Sequence, residues 1–260
     1  MDMSHGANFW ASWQLAPEIT APLLLIEYLY LRFAHAHIPH SDPIAQRQRR
    51  FFLAGLTSIA LVVITPIGVF SGQYFWCHMV QHVTLMMISG PLLVLGTPSN
   101  FHPKNLLFKT LTRPVVSWLV YATLMIGVHL PLPHVYIMER PWLHNYVEIP
   151  AYFIVAYLFY FNLLDRNLVG RRISPAFAVI SLFLMMVPET LTGFFIYASP
   201  KSLYQNMFTL SDQQRGGSIM WSGGMIIDAV WIAFAVHHWL KSEERRSKEI
   251  DAEIAADEQR

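Results

Sequence analysis

Runs of about 20 predominantly apolar residues, separated by short polar stretches, recur seven times along the chain. They fall near 19–35, 51–70, 74–96, 114–131, 145–164, 175–197 and 217–240. Backbone polar groups in hydrocarbon must be satisfied within the segment, so each run is expected to be a helix. The pattern predicts an all-α, polytopic seven-helix transmembrane bundle over residues 1–240, followed by a charged tail over 241–260. The connections leave no room for a separate soluble domain. No basic residue precedes the first run and no small-residue cleavage site follows it, so it is expected to remain as a span.

The third run breaks the pattern. Gln73–Gly96 reads QYFWCHMVQHVTLMMISGPLLVLG and carries His78 and His82 four residues apart. At 3.6 residues per turn both imidazoles lie on one face, one turn apart, in a segment that should avoid polar groups. Burying them is costly unless each finds a partner, and a bound cation is one partner that serves both. Hydrogen bonding between helices is the alternative. Gly90-Pro91 should weaken this helix and Gly96-Thr97-Pro98 should end it.

Composition agrees with the membrane reading, at 54% hydrophobic and 13% charged residues. The distribution of charge adds a direction. Arg47, Arg49 and Arg50 follow the first run, Lys104, Lys109 and Arg113 the third, and Arg166, Arg171 and Arg172 the fifth; Lys241, Arg245, Arg246 and Lys248 follow the last. The opposite side has Arg140, Lys201 and Arg215. An excess of Lys and Arg marks the cytoplasmic side, so the N-terminus is expected outside and the C-terminus in the cytoplasm. No nucleic-acid partner is expected; the lipid bilayer is. The tail mixes both signs without an apolar stripe, which suits a solvated helix end or a disordered stub.

With directions assigned, His78 lies about 7 Å and His82 about 13 Å below the outer surface. His129, His144 and Glu148 fall toward the same side, Glu189 in the outer half, and Asp228 nearer the middle. His35, His37, His40, His102, His237 and His238 fall at the cytoplasmic interface, where ordinary interfacial roles suffice. Met1, Met3 and His5 could capture a metal at the outer mouth. Imidazole suits copper, zinc, iron and nickel, and neighbouring thioethers tilt the choice toward Cu(I). Met86, two turns beyond His78, is the preferred sulfur over Met79, although methionine is also an ordinary packing residue. The lone cysteine, Cys77, excludes an intrachain disulfide and a Cys-x-x-Cys carrier motif, and it points about 100° away from His78. The zinc-peptidase pattern His-Glu-x-x-His is not met, because Met79 stands where the glutamate base would be. In SDQQRGGSIMWSGG, Ser211 to Gly224, close helix packing accounts for the glycines but not for Asp212 and Gln213.

The block FWCHMVQHVTLMMISGPLLVLGTP, the His129-Leu130-Pro131 turn with Tyr136, the His144 and Glu148 segment, and DQQRGGSIMWSGG, in this order, resemble the CtaG family of cytochrome c oxidase assembly proteins. The resemblance runs from about the second span to the seventh. It implies residence in the bacterial cytoplasmic membrane and a non-enzymatic role in maturing haem-copper oxidases, with copper supplied to the catalytic subunit. A second histidine would be expected soon after His144, where Ile149 and Pro150 stand. By depth and spacing His78, His82, His129, His144 and Met86 are the candidate copper ligands, supported by Glu148, Glu189, Asp228, Asp212, Gln213 and Cys77. An extracytoplasmic copper chaperone is an expected second partner. Haem held between His78 or His82 and a histidine of another span, most plausibly His129, a copper or proton transporter using Glu189 and Asp228, and a metal-free scaffold remain alternatives.

Overall fold

The computed structural model describes residues 9–34, 42–98, 101, 103–164, 173–204 and 207–257. The sequence readings placed on Met1, Met3, His5, His35, His37, His40, His102, Arg166, Arg171 and Arg172 lie outside them. The described residues form helices and no strand. The main helices are α1 (Pro17–Leu29), α2 (Pro43–Ile64), α3 (Phe75–Leu95), α4 (Pro114–His129), α5 (Pro131–Met138), α6 (Ile149–Leu164), α7 (Pro175–Ala198) and α8 (Leu210–Ala256).

Three of these, α3, α7 and α8, are long and apolar enough to cross a membrane, and the bent pair α4–α5 makes a fourth candidate if taken as one span. The 76° bend follows from the sequence. Leu130 precedes Pro131 and is driven out of the helical region, with φ −63° and ψ 142°, so the chain turns before the helix restarts. Helix α3 occupies the centre, packed against α2, α6 and α8. It is 72% buried over its apolar window, against 33% for α7 and 17% for α8.

Several boundaries differ from the sequence expectation. Helix α2 starts at Pro43 rather than near 51, because the Asp42 side chain accepts the Ile44 N–H (2.9 Å) and Pro43 suits the first helical turn. Arg47, Arg49 and Arg50, expected in a loop, are therefore helical. Helix α8 starts at Leu210 rather than near 217, because the Thr209 hydroxyl accepts the Asp212 N–H (3.2 Å). It continues into the charged tail as exposed helix. The strain expected at Gly90-Pro91 takes the form of a π-helical stretch, Thr84–Ser89. Pro91 has no N–H for the Met87 carbonyl, and the Trp231 indole N–H on α8 takes its place at 2.7 Å. The helix then ends at Gly96, as its Gly-Thr-Pro sequence predicts. Where α7 crosses α8, a Cβ on Gly217 would lie 2.6 Å from the Tyr197 nitrogen, so only glycine permits this approach.

Candidate metal centre

The N-terminal turn of α3 is held from outside its own sequence. The Asp212 carboxylate on α8 accepts the N–H of Phe75 (2.7 Å) and of Trp76 (3.4 Å), which caps α3 across the bundle. Gln213 beside it accepts the Leu203 N–H (2.7 Å) and donates to the Ile196 carbonyl (3.1 Å), tying the α7–α8 connection to both helices. Asp212 and Gln213 thus fix the helix that carries His78 and His82. Both histidines are buried, at 1% and 3% exposure.

Three other segments close around them. Helix α4 ends at His129; the bend at Pro131 brings His134 of α5 back to the same place; and the π turn His144–Glu148 enters α6 from the opposite side. The ring centres of His78 lie 5.1 Å from His134 and 5.4 Å from His144. His82 lies 4.7 Å from His129, and His129 lies 6.4 Å from His134. One donor atom each from His78, His144 and Glu148 falls within 4.8 Å of the others. The Tyr204 ring covers His134 (4.4 Å), and its hydroxyl donates to the His129 carbonyl (3.1 Å).

Hydrogen bonds set which nitrogens face inward. His129 donates from Nδ1 to the Met125 carbonyl (2.5 Å), His134 from Nδ1 to the Val128 carbonyl (3.3 Å), and His144 from Nδ1 to Glu148 Oε2 (2.6 Å). Each ring then carries its lone pair on Nε2, bare in His129 and His134, the arrangement by which outer partners orient metal-binding histidines. The Nε2 atoms of His82, His129 and His134 and both nitrogens of His78 are buried without a hydrogen-bond partner. His144 Nε2 lies 3.3 Å from Ser71 Oγ, whose hydroxyl also reaches the Gly68 carbonyl. Glu148 is held on both oxygens, by His144 and by the Tyr152 hydroxyl (2.5 Å to Oε1), and its Oε1 stands 3.9 Å from His78 Nε2. Imidazole nitrogens gathered around one carboxyl group can hold a cation; the orphaned nitrogens are otherwise unpaid desolvation.

Of the sequence candidates, the fold brings together His78, His82, His129, His144 and Glu148. Glu189 and Asp228 form a different group with Tyr121 on α4. Cys77 is buried and free on α3, and Met86 is buried in its π stretch. Sequence reasoning missed His134, Tyr152 and Tyr204. His134 lies beyond the fourth apolar run, where a histidine reads as a water-facing residue; its signal was the Pro131-Leu132-Pro133 break that returns the chain inward.

The model of the cytochrome c oxidase caa3 assembly factor family, Caa3_CtaG, matches residues 28–242. The chain belongs to this family. Two uncharacterised proteins, from Mycobacterium bovis and Mycobacterium tuberculosis, are each 24% identical over 247 residues, covering 79% of this chain and 37% of theirs. The chain thus spans little more than a third of the length of these curated relatives. No solved structure matches it. The family match extends from the end of α1 into α8 and so includes every member of the histidine cluster.

Proposed function

We propose that this assembly factor takes Cu(I) as cargo in the histidine cluster and passes it to the catalytic subunit of cytochrome c oxidase. The observation that carries the reading is the set of buried, unpartnered imidazole nitrogens on His78, His82, His129 and His134, next to His144 and Glu148. Imidazole donors suit copper among the transition metals, and Glu148 offsets the added charge. The rings of His82 and His129 are in contact at 4.7 Å, which leaves no gap for a macrocycle and favours an ion over haem.

In this reading residues 1–240 form one seven-span domain in the bacterial cytoplasmic membrane, with the N-terminus outside, the C-terminus cytoplasmic, and 241–260 as a cytoplasmic tail. The cluster then lies toward the outer face, the side from which an extracytoplasmic copper chaperone would deliver its cargo. The protein performs no covalent chemistry: His129, His134 and His144 are oriented by carbonyl and carboxylate partners, and exchange of ligands moves the cargo.

The test is anaerobic Cu(I) loading of the detergent-purified protein, wild type beside His78→Ala/His82→Ala, with metal analysis and an absorbance scan. Bound copper lost in the variant, without a Soret band, is the expected result. Equal copper in both, together with normal oxidase activity in cells carrying the variant, would sink the proposal.

A further inference from the structure

A second polar group lies deeper in the bundle. Glu189 on α7 and Asp228 on α8 are buried at 5% and 4% exposure, and their carboxyl groups are within hydrogen-bonding reach of one another. The Tyr121 hydroxyl on α4 donates to Glu189 Oε1 (2.6 Å). No hydrogen-bond donor from the described residues reaches Glu189 Oε2 or Asp228 Oδ2. From the helices packed around the pair, the titratable groups facing it are Tyr121 on α4 and Tyr160 on α6. Both are neutral donors, and among the described residues no cation faces the carboxyls.

Two ionised carboxylates can only accept hydrogen bonds, so a hydrogen bond between them requires one to carry a proton. Leaving both ionised, in contact and away from water, would combine like-charge repulsion with the full desolvation cost of each. Intramembrane acids are rare, face the bundle interior and recur in proton relays. The placement adds to this. Tyr121, Met125 and His129 recur every fourth residue on one buried face of α4, so the pair lies about 12 Å along the helix axis from the histidine cluster. Glu148, Tyr152, Ala156 and Tyr160 form a matching buried stripe on α6.

We propose that Glu189 and Asp228 form an exchangeable proton-binding site, holding one proton between two carboxyl groups with Tyr121 as the hydroxyl that positions it. Exchange breaks one carboxyl O–H bond as the proton leaves to water and makes one as another arrives; nothing is oxidised or reduced. The site is independent of the metal reading and would stand if no copper were bound.

Infrared difference spectroscopy of the purified full chain in H2O and D2O at neutral pH tests it. A protonated-carboxyl C=O band that shifts in D2O is expected in the wild type, moved in Tyr121→Phe and lost in Glu189→Gln/Asp228→Asn. If the double variant fails to fold, Glu189→Gln alone must move the band. A missing band, a band unaffected by these substitutions, or a band that D2O leaves unshifted would overturn the proposal, the last because it describes a sealed structural pair.

Discussion

Glu148 and Glu189 are the same residue, equally buried, in two places that ask different things of it. Glu148 receives a hydrogen bond on each oxygen, from His144 and Tyr152, and stands among imidazoles. Glu189 receives one donor, Tyr121, and faces a second acid. The first environment supplies a donor to each oxygen and brings imidazole nitrogens beside them, which suits a cation with several ligands. The second offers two oxygens in contact and nothing positive, which suits a proton. The ligand each region selects is set by donor supply and geometry, since burial is common to both.

The strongest way to break that contrast is to exchange the treatments. Glu148→Ala removes the carboxylate that orients His144 and faces His78, and is expected to weaken Cu(I) binding about 10–100-fold, the usual effect of deleting a partner that orients a ligand. Glu189→Gln, read by the same competition titration, should leave copper affinity unchanged. Equal losses in both would mean that the two regions act as one site.

A smaller effect is expected where the frame of the histidine cluster is altered but its ligands are kept. Asp212→Ala uncaps the first turn of α3, at a cost of about 0.5–2 kcal/mol. Its signature is a lowered melting temperature with copper stoichiometry retained in the cold. Copper lost from a folded variant would instead bring Asp212 into the site. At the other end, Trp231→Phe removes the donor to the Met87 carbonyl and should cost about 0.5–1.5 kcal/mol by the same measurement, leaving both ligand regions unaltered.

The helical architecture and the pair at its heart were legible in the sequence, for separable reasons. Apolar length announces helices, and two histidines at helical spacing in such a run are conspicuous whatever surrounds them. The seven apolar runs did not disclose where helices begin: Asp42 and Thr209 cap α2 and α8 well before the hydrophobic stretches start, because capping depends on a single side chain. His134 escaped the hydropathy pattern because its burial depends on a 76° bend, which the Pro131-Leu132-Pro133 break signals but hydropathy, having no term for direction, does not. Glu189 and Asp228 were noticed as intramembrane acids and could be assigned to the metal, to its supporting shell or to a proton. Only knowing that α7, α8 and α4 meet separates them from the histidines. Asp212 and Gln213 looked like site chemistry because they are polar beside a small-residue run; their partners are backbone groups of other segments, invisible along one chain.

The smallest expected effect concerns Met86. Extrapolating a regular helix from His78 brings this sulfur toward the histidine face, but the π stretch that begins at Thr84 changes the number of residues per turn before Met86 is reached. A residue past such a stretch no longer points where 3.6 residues per turn would put it. Met86 is fully buried in the core, where methionine fills irregular space, and leucine conserves its volume. Met86→Leu should therefore leave copper stoichiometry unchanged and shift the melting temperature little. Weaker binding in that variant would show that the thioether joins the imidazoles and that the cluster extends down α3 toward the carboxyl pair, which would narrow the separation between the two regions.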